Sequence, residues 1–180
     1  MDGPGRRAIR GDPPSVFICY RRNDLDIAVR MKERLARLVG EGNVFFDFHS
    51  INFGLDFRNV IHEVFSGISI VVLLIGSAFH AERLHRTDDI VGLELREAVT
   101  RGTFIMPALV DGAPMPKADA WPPELAEIAY INAAPLHRGR EFDRDTERFV
   151  RDMALSYASR VGRTRGLNII RFPDGSTGAV

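Results

Sequence analysis

The sequence predicts an α/β domain of flavodoxin-like architecture, with five parallel strands in the order 2-1-3-4-5 and helices on both faces of the sheet. Two observations carry this expectation. Short apolar runs alternate with helix-period segments, and strand starts fall about 26 to 35 residues apart, the rhythm of strand–helix–strand units. One run, Ser69 to Ile75, holds six consecutive aliphatic residues, which implies burial on both faces and therefore a central parallel strand. A chain of 180 residues is long enough for one domain with a full core and too short for two comfortable ones.

Taken in order, Met1 to Pro14 is rich in glycine, proline and arginine, lacks the apolar segment of a signal peptide, and reads as a disordered leader. The first strand runs from Ser15 to Tyr20 and stops at Arg21-Arg22-Asn23. Asn23 or Asp24 caps the next helix, whose apolar positions Leu25, Ala28, Met31, Leu35 and Leu38 keep helical spacing until Gly40 and Gly42. The second strand is Asn43 to Asp47; after a loop, Asp56 caps a helix through Phe57, Val60, Ile61, Val64 and Phe65. The third strand ends at Gly76-Ser77, and Thr87-Asp88-Asp89 leads into a helix from Ile90 to Arg101. Thr103 to Val110 forms the fourth strand. Asp111 to Pro123 carries four prolines and is mostly irregular, and Ala129 to Asn132 reads as the fifth strand. Asp143 to Arg160 closes the domain as a helix, with Phe149, Met153, Leu155 and Tyr157 among its apolar residues. The domain thus spans 15–160. It leaves 161–180 as a basic tail of unassigned role, with one apolar patch at Leu167-Asn168-Ile169-Ile170.

Composition excludes several classes of function. Lysine plus arginine and aspartate plus glutamate each number 24, so the formal net charge is zero, which argues against a constitutive nucleic-acid binder. It also means that association with like chains meets little electrostatic opposition. The single cysteine, Cys19, sits in an apolar run as a core residue, and without a second one no disulfide can form within the chain. His49, His62, His80, His85 and His137 are scattered and suggest no metal site. No run approaches the roughly 18 apolar residues of a membrane span, and the expected location is the cytoplasm.

In doubly wound sheets, ligands bind beyond the carboxyl ends of the strands where the winding reverses, here between the first and third strands. That rim is formed by Tyr20-Arg21-Arg22 and Gly76-Ser77, with the loop after Asp47 and the start of the Ile90 helix beside them. The phosphate-loop pattern G-x-x-x-x-G-K-[ST] and the dinucleotide turn G-x-G-x-x-G are both absent, two arginines stand where a phospho-receiver would carry paired acids, and Ser77 lacks the G-x-S-x-G frame. What remains is a cationic rim suited to phosphates, plus carboxylates able to act on a sugar.

Val16-Phe17-Ile18-Cys19-Tyr20-Arg21-Arg22-Asn23 resembles the first conserved box of TIR (Toll/interleukin-1 receptor) domains, usually written F-I-S-Y. Val44-Phe45-Phe46-Asp47 followed by Ser50-Ile51-Asn52-Phe53-Gly54 is similar to the family's second strand and contact loop. Asp89-Ile90-Val91-Gly92-Leu93-Glu94, followed by Ala98-Val99, resembles the helix that carries the catalytic glutamate of TIR NAD hydrolases, and Pro107 to Gly112 resembles the fourth strand and its exit. The likeness covers about Ser15 to Leu155 and looks closest to the bacterial branch.

On spacing alone, Val91, Leu95 and Ala98 form the buried stripe of their helix and Glu94 lies beside its edge, where a glutamate is ordinarily a solvated boundary residue. The resemblance instead implies that Glu94 is the catalytic carboxylate, stabilising positive charge on the ribose as neutral nicotinamide leaves. One carboxylate suffices for this, unlike the acid–base pair of ordinary glycosidases. The resemblance also implies ligand contacts from Tyr20, Arg21, Arg22, Phe57 and Ser77, with the arginines facing the pyrophosphate or shaping the pocket. Read without it, these residues are a packed strand end, solvated charges, a helix start and a turn. Ile90 stands where TIR hydrolases often carry a tryptophan, four residues before the glutamate; it offers an apolar wall but cannot stack as an indole would, and the only tryptophan, Trp121, lies in the later proline-rich loop.

Two functions follow as expectations. The first is an NAD glycohydrolase yielding nicotinamide and ADP-ribose or a cyclic form, with NAD as substrate, no separate cofactor and no metal, activated by self-assembly in defence or signalling. The second is a non-catalytic adaptor, host-directed bacterial effectors included, that acts only by homotypic TIR assembly. Ile51, Asn52, Phe53 and Gly54 serve as the assembly loop in either case, with other TIR domains as partners.

Overall fold

In a computed structural model of the chain, the described residues are 13–46, 57–165, 170–171 and 177–178. Strands β1 (Val16–Cys19), β2 (Val44–Phe46), β3 (Ile70–Ile75), β4 (Phe104–Val110) and β5 (Ala134–Leu136) form one sheet in the order β2-β1-β3-β4-β5. Every neighbouring pair is parallel, with β1 and β3 at the centre in the register Val16 opposite Ile70 and Cys19 opposite Leu73. Helices α1 (Leu25–Val39), α2 (Phe57–Phe65), α3 (Ile90–Thr100) and α4 (Phe142–Arg165) cover the sheet. None of the described helices is long and apolar enough to cross a membrane.

The period-two alternation of the strands divides the core in two. Val16, Ile18, Val72 and Leu74 face Ile27, Met31 and Leu35 of α1 and Phe149 and Met153 of α4. Phe17, Cys19, Val71, Leu73 and Ile75 face the other way, against Ile61 and Phe65 of α2 and Val91, Leu95 and Ala98 of α3. All six residues of β3 are buried, which is why that strand reads as an unbroken aliphatic run. Each such side chain contributes about 1.5 to 3 kcal/mol on leaving water.

The structure corrects the sequence reading at three places. The fifth strand is Ala134–Leu136, not Ala129 to Asn132. The segment Pro123–Tyr130 winds into tight 3-10 turns, starting at proline, which bury Leu125 and Ile128 while Tyr130 stands three-quarters exposed. Pro135 within β5 is tolerated because β5 is an edge strand with one side unpaired, and fully buried Leu136 holds the inward position. Asp24 occupies the N-cap position of α1, yet its side chain makes no capping bond; its carboxylate pairs with Arg138 instead. Finally, α4 extends to Arg165, and beyond it Ile170–Arg171 (β6) pairs antiparallel with Thr177–Gly178 (β7). Residues 1–12 of the leader and the assembly loop Ile51, Asn52, Phe53 and Gly54 lie outside the described residues, as does Asp47.

The carboxyl ends of the strands are tied together by charge. Arg138, just after β5, pairs with Asp24 and Asp26 at the start of α1 and with Asp111 at the exit of β4. Asp111 adopts a left-handed backbone (φ 52°) and accepts the Arg138 backbone N–H at 2.8 Å. Gly76 admits the fully buried Asp24 carboxylate against β3, because any Cβ there would overlap the carboxylate oxygens.

His137 and Asp145 join β5 to the first turn of α4, with Nδ1 2.6 Å from Oδ2. The hydrogen bond to Asp145 raises the His137 imidazole above its ordinary range, outweighing desolvation. For Asp145, burial pushes the carboxyl up, but the bonds from His137 prevail and hold it below the carboxylate range. A raised histidine stabilises fully below its unfolded value and loses that contribution as pH rises through its folded value. A depressed carboxylate stabilises above its unfolded value and loses it as pH falls through its folded one. Thermal melts should therefore show wild type above His137→Ala by most near about pH 5 to 6, with the gap shrinking toward pH 8 and above. A gap that widens with rising pH would contradict the pairing.

Candidate functional site

The site predicted at the carboxyl end of β1 takes its geometry from three residues: Cys19, Arg21 and Asp89. Odd-numbered positions of β1 project toward α3, so Cys19 meets that helix. Its Sγ lies 3.0 Å from Glu94 Oε2, and both side chains are buried, Glu94 to 6% exposure. The sequence reading set Glu94 at the edge of the buried stripe. The structure sets it inside, because α3 leans its Glu94 face onto the end of β1 as well as its Leu95 face onto the core.

Two residues further on, the chain turns into a 3-10 segment, Arg22–Asp24, and Arg21 folds back toward the same helix. Its Nη1 donates to Asp89 Oδ2 at 2.8 Å with both side chains almost wholly buried. The Arg21 guanidinium lies 5.6 Å from the centre of the Phe79 ring, which in turn tilts against Trp121 at 5.5 Å. Among the described residues, Arg21 Nε and Nη2 have no hydrogen-bond partner. Buried donors on a cation are costly to leave unmade, and their geometry suits two oxygens of an anion.

Asp89 serves both halves of this arrangement. Its Oδ1 accepts the Gly92 backbone N–H at 2.8 Å, capping α3, while Oδ2 holds Arg21. One carboxylate therefore fixes where α3 begins and which way Arg21 points. Glu94 sits five residues along that capped helix.

The other expected contacts divide. Ile90 is half-buried beside the α3 core, one turn before Glu94. Tyr20 projects to the opposite face of the sheet from Cys19 and packs on Phe46 with ring centres 6.2 Å apart. It is not brought together with Glu94. Arg22 and Ser77 are exposed at the rim, and Phe57 opens α2 with its side chain outside the described part. Trp121 is buried at 2% exposure, donates from Nε1 to the Pro116 carbonyl at 3.2 Å, and supports Phe79. Sequence reasoning missed Asp89 and Phe79 as members of the site and saw Cys19 only as core. The signal for Asp89 was present, an acid immediately before a helix. Its second bond, to a residue 68 positions away, was not legible. Among the described residues, no group of three or more histidine, cysteine or acidic side chains is placed to hold a metal ion.

Removing the Asp89 carboxylate strips the cap and leaves Arg21 buried without its acid. Asp89→Ala should lower the unfolding free energy by about 3 to 5 kcal/mol in urea titrations, and Asp89→Asn, which keeps a capping oxygen, by roughly 1 kcal/mol less. A loss below about 0.5 kcal/mol for the alanine variant would mean that Arg21 does not depend on this partner.

The described fold is similar to those of several solved structures. The TIR domains of the activated Roq1 resistosome, which directly recognises the pathogen effector XopQ, share 13% identity at a TM-score of 0.56, over 77% of this chain and 98% of that one. A metazoan TIR-STING receptor from C. gigas shares 16% identity at a TM-score of 0.48 over 87% of this chain, and its complex with 2',3'-cGAMP shares 16% at 0.47 over 86%. The chain spans about half the length of those receptor chains, 48% and 47%. No curated protein sequence matches it. The family model of the TIR domain matches residues 16–150, and with that match over most of its length the chain belongs to the TIR domain family.

Proposed function

We propose that this TIR domain cleaves NAD at the nicotinamide–ribose bond, with Glu94 as the catalytic carboxylate, and that it does so when assembled with further copies of itself. The observation that carries the proposal is a buried glutamate on the helix that Asp89 caps, together with a buried arginine that the same Asp89 pairs and whose Nε and Nη2 have no hydrogen-bond partner among the described residues.

The chemistry uses what this rim offers. As the bond between the ribose anomeric carbon and the pyridinium nitrogen breaks, its electron pair goes to the ring and nicotinamide leaves neutral, so no acid is required. The ribose gains oxocarbenium character. A carboxylate in a site of low dielectric, set against the ring or its hydroxyls, stabilises that charge, an effect typically worth about 3 to 4 kcal/mol. Water then adds to the anomeric carbon and gives up a proton to solvent, yielding ADP-ribose; attack by an adenine nitrogen instead yields a cyclic product. The pyrophosphate is the natural acceptor for Arg21 Nε and Nη2, with Arg22 adding positive charge from the exposed rim. Ile90, one turn before Glu94, supplies an apolar wall. A formal net charge of zero does not oppose self-assembly, and defence or signalling in a bacterial cytoplasm is the setting proposed for it.

Release of nicotinamide from NAD, measured across protein concentrations, tests the reading. Wild type should turn over with a specific activity that rises with concentration, and Glu94→Gln should lose about 100-fold to 1,000-fold while melting like wild type. Equal turnover by the two proteins would remove Glu94 from the mechanism. Wild type inactive at every concentration, yet self-associating, would favour the adaptor.

A further inference from the structure

Nothing in the proposed chemistry yet uses Cys19, although its thiol makes a polar contact to the carboxylate on which that chemistry turns. Sγ and Glu94 Oε2 are 3.0 Å apart across 75 positions of sequence, a close approach for sulfur. Cys19 is fully buried in β1, an inner strand of the sheet flanked by β2 and β3. Burial, with the neighbouring Glu94 charge adding to it, pushes the thiol well above its ordinary range, so the sulfur keeps its proton and is the donor of the pair.

A glutamate has three side-chain torsions, and burial alone does not select among its rotamers. A donor on the rigid central strand does select, because β1 is hydrogen-bonded to a neighbour on both sides. We infer that Cys19 is a positioning residue: its S–H holds the Glu94 carboxylate at the carboxyl end of β1 in the orientation that meets the ribose. The inference rests on the NAD-cleaving reading and concerns the orientation of the same site. The thiol touches no substrate and forms no bond in the reaction; it donates to one oxygen of Glu94 throughout.

Packing and positioning rank the substitutions at this residue in opposite orders, which makes the inference testable. Serine keeps a donor, but its buried hydroxyl is a poorer core group than an apolar side chain. Alanine and valine remove the donor, alanine leaving a small void and valine filling the space with a somewhat larger apolar side chain. Cys19→Ser should keep kcat within about threefold of wild type, whereas Cys19→Ala and Cys19→Val should each lower kcat by about tenfold with little change in KM. In those two variants the acid limb of the kcat/KM profile should also move to higher pH, because a donor to the charged carboxylate has been lost. Thermal midpoints, by contrast, should not follow the order of activities. Alanine and valine variants that turn over like wild type, beside an inactive Glu94→Gln, would overturn this inference and leave the reading of the site intact. The same holds if serine falls with the other two. A wild-type protein that never releases nicotinamide would overturn both together.

Discussion

The two oxygens of Asp89 set the geometry on which the site depends. One terminates α3 by accepting the Gly92 N–H, and the other binds the buried Arg21. A helix start and a strand end are thereby locked to the same group. The position of Glu94 relative to β1 follows from the helical repeat, since it lies on the second turn of a helix whose first turn is anchored. Taking a charged pair out of water is expensive and returns little net stability. The pair is better understood as fixing a geometry, one in which Arg21 gives Nη1 to Asp89 while Nε and Nη2 have no hydrogen-bond partner among the described residues.

The rim has a second half, of different character. Arg138 gathers Asp24, Asp26 and Asp111 from the exits of β1 and β4, and Gly76 makes room for the first of them. Three acids close around one guanidinium, which is itself a third exposed. The cluster occupies the α1 side of the sheet, whereas Glu94 and Arg21 occupy the α3 side. The division comes from the pleat: alternate residues after β1 are sent to opposite faces, so Tyr20 packs on Phe46 while Cys19 and Arg21 meet α3.

The sheet order, the buried β3 and the limits of α3 were legible in the sequence because each depends on local pattern: an unbroken aliphatic run, a helical period, an aspartate before a helix. The fifth strand was not. Ala129-Tyr130-Ile131 has the composition of a strand, but the prolines before it start 3-10 turns, and the true strand hides behind Pro135. At the site, the residue types were readable and their partners were not. That Cys19 donates to Glu94, and that Asp24 leaves its cap position for Arg138, are facts of tertiary contact between segments 75 and 114 positions apart. No periodicity encodes them.

The most direct test of the account is a crystal structure of the Glu94→Gln chain with NAD. The account predicts pyrophosphate oxygens within hydrogen-bond distance of Arg21 Nε and Nη2, and the nicotinamide-bearing ribose against the side chain at position 94. Dinucleotide bound away from the carboxyl end of β1, or Arg21 still joined only to Asp89 with the ligand in place, would contradict it.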